Sequence, residues 1–171
     1  MRAIFLILCS VLLNGCLGMP ESVKPVSDFE LNNYLGKWYE VARLDHSFER
    51  GLSQVTAEYR VRNDGGVSVL NRGYSEEKGE WKEAEGKAYF VNGSTDSYLK
   101  VSFFGPFYGS YVVFELDREN YSYAFVSGPN TEYLWLLSRT PTVERGILDK
   151  FIEMSKERGF DTNRLIYVQQ Q

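Results

Sequence analysis

Leu35-Gly36-Lys37-Trp38-Tyr39-Glu40-Val41-Ala42-Arg43 is the first strand-like segment after a polar leader, and its tryptophan constrains what can surround it. Trp38 needs a large, mostly apolar seat, and Gly36 lets backbone or a ring approach closely. The residues after Trp38 alternate as a half-buried strand does. About a hundred residues later stands a second signal, Tyr133-Leu134-Trp135-Leu136-Leu137-Ser138-Arg139-Thr140-Pro141, a strand that ends in arginine just before a helix.

Between these two signals lies a series of short strands. Gln54 to Arg62 is a clean period-2 pattern, with Val55, Ala57, Tyr59 and Val61 facing in. Asn63-Asp64-Gly65-Gly66 is a hairpin turn of residues that tolerate positive φ. Strands follow at 67–74, around 86–91 with Trp81 before it, at 98–103, 110–116 and 121–127, and the last runs 132–138. With the first strand at 36–44 the count is eight, joined in order by short loops. Such a chain is all-β and folds as an eight-stranded antiparallel up-and-down β-barrel, which abolishes the sheet edges. Thr140-Pro141 opens a C-terminal helix, with a cap and a proline at its first position. Its stripe of Val143, Ile147, Leu148, Phe151 and Met154 lays it on the outside of the barrel, Gly159 ends it, and 164–168 adds a final short strand. Residues 28–35 form a helical turn plugging one barrel end through Phe29, Leu31 and Leu35.

At 171 residues the chain has the size of one domain. Aromatic residues make up 15% of it, which favours strands over a helical bundle. A net charge of -4 leaves no basic footprint, so nucleic acid is excluded as a partner. Residues 1–15 read as a secretory signal, with Arg2 before an apolar run too short to span a bilayer comfortably. Leu13-Asn14-Gly15-Cys16 resembles a bacterial lipobox, which implies diacylation of Cys16 and membrane attachment through it. Leu17 after that cysteine, rather than Asp, implies sorting to the bacterial outer membrane. The alternative is an ordinary signal peptide that leaves Cys16 a free thiol. Only 2 Cys exist, both at or before position 16, so no disulfide can staple the body. Residues 16–28 then form a lipidated N-terminus and tether, and 29–171 the folded domain.

Gly36-x-Trp38 on the first strand, with Arg139 after the last hairpin, resembles the lipocalin family, in which such an arginine stacks across the tryptophan and closes the barrel bottom. Trp38 to Arg43, Phe48-Glu49-Arg50-Gly51 and Leu137-Ser138-Arg139-Thr140-Pro141 are most similar to the bacterial lipocalins related to apolipoprotein D. The resemblance covers roughly 29–169. It implies a calyx that binds and stores or transports a small lipophilic ligand, a fatty acid or lysophospholipid in a bacterial envelope. Gly36, Trp38 and Arg139 are then structural. The candidate lumen residues are Tyr39, Val41, Ala57, Tyr59, Trp81 and Tyr98, although a register slip of one residue would turn each of them outward. The competing expectation is a structural or envelope-maintenance lipoprotein whose barrel is filled by its own side chains.

Catalysis is a poor fit to the residue inventory. His46 is the only histidine, and the sequence has no nucleophile elbow, phosphate loop, metal-ligand spacing or other cofactor motif. Paired carboxylates such as Glu76/Glu77 and Glu83/Glu85 lie in solvated charged runs. The loop 45–52 is long enough to be a lid, with Phe48 at the mouth and His46, Glu49 and Arg50 around it, or it is a solvated loop with one aromatic tucked in. The turn 103–108 is equally open to two readings. It is a greasy surface for a membrane, for ligand access or for a second copy in a homodimer, or else Phe103 and Phe107 point into the barrel.

Overall fold

A computed structural model describes residues 17–171; the signal segment 1–15 and Cys16 lie outside the described residues. A short helix α1 (Leu31–Tyr34) leads into eight strands. These are β1 (Gly36–Arg43), β2 (Leu52–Val61), β3 (Val67–Ser75), β4 (Glu80–Phe90), β5 (Tyr98–Phe104), β6 (Phe107–Leu116), β7 (Tyr123–Ser127) and β8 (Leu134–Ser138). Helix α2 (Arg145–Glu157), a 3-10 turn at Thr162–Arg164 and β9 (Ile166–Tyr167) complete the chain. Each strand pairs antiparallel with the next, and β1 pairs with both β8 and β2, so the eight strands close into a barrel.

Two apolar clusters lie on either side of this single sheet. One lines the interior around Trp38, Tyr59, Val69, Leu99, Val113 and Leu137. The other lies on the outer wall around Ala42, Val112, Phe125, Leu136 and Phe151, where α2 packs. The helix stripe read from the sequence meets that wall, Phe151 against Phe125 at 5.0 Å between rings. The helix nonetheless starts at Arg145, not after Thr140-Pro141. The Thr140 hydroxyl donates to the Thr142 carbonyl and its N–H to the Ser138 hydroxyl, and these local bonds hold a turn in place of a cap.

The closed end is built on Trp38. Its indole N–H donates to the Tyr34 carbonyl at 2.8 Å, and the Arg139 guanidinium lies over its ring, 3.9 Å from the centroid. Arg139 also donates to the carbonyls of Asn33 and Lys37, and through Nε to that of Tyr121, tying the plug, β1 and the β6–β7 turn together. Gly36 sits at φ 91°, where a side chain would be strained, with the guanidinium 3.6 Å from where a Cβ would be. Phe29 is buried in this floor, and Leu31 and Leu35 pack against it.

The barrel is not a uniform cylinder. An extra residue, Val41, shifts the β1–β8 register between Glu40 and Ala42. Below it β1 pairs with β2; above it Ala42 and Arg43 pair instead with Tyr167 and Ile166 of β9. The C-terminal residues bridge the resulting seam: the Gln170 side-chain amide donates to the carbonyls of Glu40 and Val55, and the Gln54 N–H to the carbonyl of Gln169. β4 is longer than its sequence pattern suggests and already contains Trp81. Its first half is wet on both faces, so no alternation of apolar residues marks it.

Arg139→Lys keeps the charge but loses the planar fork that reaches three carbonyls. Urea unfolding of this variant is expected to show a loss on the order of 1–3 kcal/mol. An unchanged midpoint would contradict the assigned role.

Candidate functional site: a lumen with a polar floor and a polar upper wall

The inner faces follow from strand register. Leu99, Val101 and Phe103 of β5 share the interior cluster with Val67 and Val69 of β3, Ala88 and Phe90 of β4, and Tyr111 and Val113 of β6. Gly86 of β4 also faces inward, and the Phe103 ring rests against it, 2.8 Å from where a Cβ would stand. Any larger residue there would force the ring aside.

Of the six candidate lumen residues, Ala57 and Tyr59 lie on this inner face. The other four do not. Tyr39 points outward beside Lys37, whose ammonium lies 4.5 Å from its ring. Val41 is the bulge residue and packs on the outer wall. Tyr98 is buried in that same outer cluster. Trp81 is on the outer surface at the open end, 43% exposed, with the Arg72 guanidinium 3.9 Å from its ring. The outer wall under α2 is as apolar as the lumen, so alternation could not tell the two faces apart.

The floor of the lumen is a chain of three tyrosine hydroxyls. Tyr111 Oη lies 2.7 Å from Tyr34 Oη and 2.9 Å from Tyr59 Oη. Burial holds all three phenols above their ordinary range, so they stay protonated. Three hydroxyl protons share two mutual bonds, which leaves one donor to offer within the lumen.

Higher on the wall sits a buried ionic group. Because of the bulge, Glu40 and Arg43 both face inward, and Arg43 Nη1 donates to Glu40 Oε1 at 2.6 Å. Arg43 Nη2 donates to the carbonyls of Glu49 and Leu52, drawing the 45–51 loop over the barrel. Glu49 Oε2 accepts from the Trp135 indole at 3.1 Å and lies 2.9 Å from His46 Nε2, without the alignment of a hydrogen bond. His46 and Glu49 are buried, whereas Phe48 is 67% exposed and Arg50 pairs with Asp45 at the surface. The loop is thus held at the open end by its polar side chains, with its aromatic residue outside.

Burial and the nearby Glu49 carboxylate hold Glu40 well above the usual carboxyl range, against the pull of Arg43. Burial also pushes Glu49 up, but His46, the Trp135 N–H and Arg43 outweigh it and hold Glu49 below that range. The surroundings therefore favour the protonated form of Glu40 and the charged form of Glu49. Among the described residues no cluster of three or more His, Cys, Asp or Glu side chains could hold a metal ion. Glu40, Arg43, Tyr34, Tyr111 and Trp135 were not legible as lumen residues. A glutamate and an arginine three apart on a strand fall on opposite faces unless a bulge intervenes, and nothing in the sequence marks this one.

Residues 29–170 match the Lipocalin-like domain family. The chain is 99% identical to "Outer membrane lipoprotein Blc" of Vibrio cholerae over the whole of both chains. It is 52% identical to the protein of that name from Escherichia coli K12, over 88% of this chain and 85% of the other, and 27% identical to mouse apolipoprotein D, over 89% and 82%. Among solved structures, insecticyanin of Manduca sexta superposes with a TM-score of 0.71 at 22% identity, covering 90% of this chain and 87% of that one, a likeness of fold.

Glu40, raised in the fold, contributes stability below its ordinary value that is lost as pH rises through it; Glu49, lowered, contributes stability above its ordinary value that is lost as pH falls. Relative to the unchanged protein, Glu40→Gln should therefore gain melting temperature as pH rises above the ordinary carboxyl range, and Glu49→Gln should show a deficit that shrinks toward acid. Profiles parallel to the parent would refute both assignments.

Proposed function

The chain belongs to the lipocalin family, and from that premise we propose that it carries one fatty acid or lysophospholipid molecule in its lumen, at the bacterial outer membrane, anchored through lipid on Cys16. The observation that carries this reading is that several inward side chains remain partly accessible. Ala57, Val101, Phe103, Tyr111 and Trp135 point inward yet are only half-buried. An eight-stranded barrel has room for one small ligand. Its apolar belt suits an acyl chain, while the tyrosine floor and the Glu40–Arg43–Glu49 group each offer hydrogen bonds to a polar terminus. Binding without chemistry is the role this inventory supports, since the only histidine is packed against Phe48, Tyr133 and Trp135. The names of the Vibrio cholerae and Escherichia coli relatives support the membrane location, and an anchored carrier has acyl lipids within reach.

The test uses protein begun at Leu17, which contains every element described above, titrated with a lysophospholipid and with a fatty acid while tryptophan emission is followed. Saturable binding to one site at micromolar or tighter dissociation constant is expected. Trp135→Phe should remove most of the response and Trp81→Phe, on the outer wall, little. Ala57→Phe, which fills the lumen beside Trp38, should weaken binding at least about tenfold, or 1.4 kcal/mol. No saturable response to either lipid would favour a structural envelope role.

A further inference from the structure

The segment 17–29 is not the free tether its composition suggests. Gly18 N–H donates to Ser110 Oγ at 2.9 Å, Val26 N–H to Ser97 Oγ and to the Val113 carbonyl, and Phe29 N–H to the Thr95 carbonyl. Val23 and Val26 are buried, and Ser22 bonds the Arg158 carbonyl near the end of α2. The segment is a strap that climbs the outer wall of β5 and β6 from the closed end toward the open one. Ser110 is three residues below Phe107, the first residue of β6 at the open end, which is about 10 Å at strand rise. It is six residues, about 20 Å, from the closed end of the same strand at Leu116. Only Leu17 separates Gly18 from Cys16, and the two residue steps span at most about 7 Å.

The nearest rim feature is the β5–β6 hairpin. Phe104 is 81% exposed and Phe107 65%, which corrects the expectation that Phe107 points inward; only Phe103 does. Residues 103–108 carry no charge, and Lys100 sits just below, its ammonium 5.2 Å from the Tyr108 ring. An exposed aromatic tip above a lysine, with no charged side chain of its own, matches an interface of acyl chains and anionic headgroups. The neighbouring β3–β4 turn carries Glu76, Glu77 and Glu80 against the single Lys78, and this net acidic part of the rim is the part that such a surface repels.

We propose that residues 104–107 are the membrane-contacting edge of this protein, set against the bilayer by the strap, so that the mouth of the barrel opens onto lipid. The proposal rests on the anchor at Cys16. With the anchor at the strap's upper end, the β5–β6 tip reaches the bilayer first, and the barrel leans toward that side and away from the acidic turn. A lipid leaving the bilayer then meets the lumen without crossing water.

The test uses the full-length exported protein in vesicles of phosphatidylethanolamine and phosphatidylglycerol containing a phospholipid brominated high on its acyl chain, which quenches tryptophan on contact. Phe107→Trp, with Phe104→Trp as a second probe, is compared with Val61→Trp at the closed end, each against the unchanged chain. The tip probes are expected to be quenched and blue-shifted and the Val61→Trp probe unaffected. Quenching of Val61→Trp equal to or above that of the tip probes, or no quenching at the tip, overturns the proposal. The mass of the purified chain separates the two readings. An acylated Cys16 with an unquenched tip refutes the orientation alone, and an unacylated Cys16 refutes the anchor and the orientation together, with lumen binding judged by its own titration.

Discussion

The guanidinium of Arg139 over the indole of Trp38 is the contact on which the rest of the barrel is registered. An indole this large cannot be seated at the end of a small barrel unless a plug covers it, and here Tyr34 of α1 packs against it at 4.7 Å between rings. A guanidinium over its ring satisfies three carbonyls that the plug, the first strand and the last closed-end turn would otherwise leave exposed. With Trp38 fixed, β1 has one register against β2, Trp38 opposite Ala57, and the inner face of the lower barrel follows from it.

Above that point the bulge at Val41 changes what the same strand does. It turns Ala42 out to the wall under α2 and keeps both Glu40 and Arg43 inside. Burying an acid and a guanidinium costs desolvation that their mutual attraction often only offsets. The arrangement draws much of its return from the loop at the open end: Arg43 holds two carbonyls of the loop and its strand entrance, and Glu49 holds Trp135 and faces His46. An aliphatic core would pack the upper barrel at least as tightly but would leave the 45–51 loop without these ties. Polarity near the mouth and hydroxyls at the floor, with aliphatic and aromatic walls between, give the lumen the profile of an amphipathic molecule.

Strand number, strand order, the outer helix and the floor were legible in the sequence because each rests on a signal with a single physical reading. Val55 to Tyr59 alternates, although Val61 beyond it is exposed and not turned in as expected; Asp64-Gly65 turns, and Gly36, Trp38 and Arg139 answer one another across a hundred residues. Sidedness was not legible where both faces of the sheet are covered. Tyr98 and Val41 are as apolar in their surroundings as Leu99 and Tyr59, because α2 and the strap make a second interior on the outside of the barrel. Trp81 misled for the opposite reason, since a large aromatic in a charged run resembles a buried anchor while Arg72 and Tyr74 hold it on the surface. The 45–51 loop was read inside out, because the burial of His46 and Glu49 depends on Tyr133 and Trp135, which lie far away in the sequence.

The seam between β1 and β2 is bridged by residues 166–170. Above Val41, β1 keeps β8 on one side, and β9 and Gln170 complete the other. Without that segment the upper half of β1 would be held by β8 alone, and its edge toward β2 would stand open. The wall is therefore sealed by contacts between residues more than a hundred apart in the sequence, a clasp placed across a barrel whose strands otherwise pair with their neighbours in order.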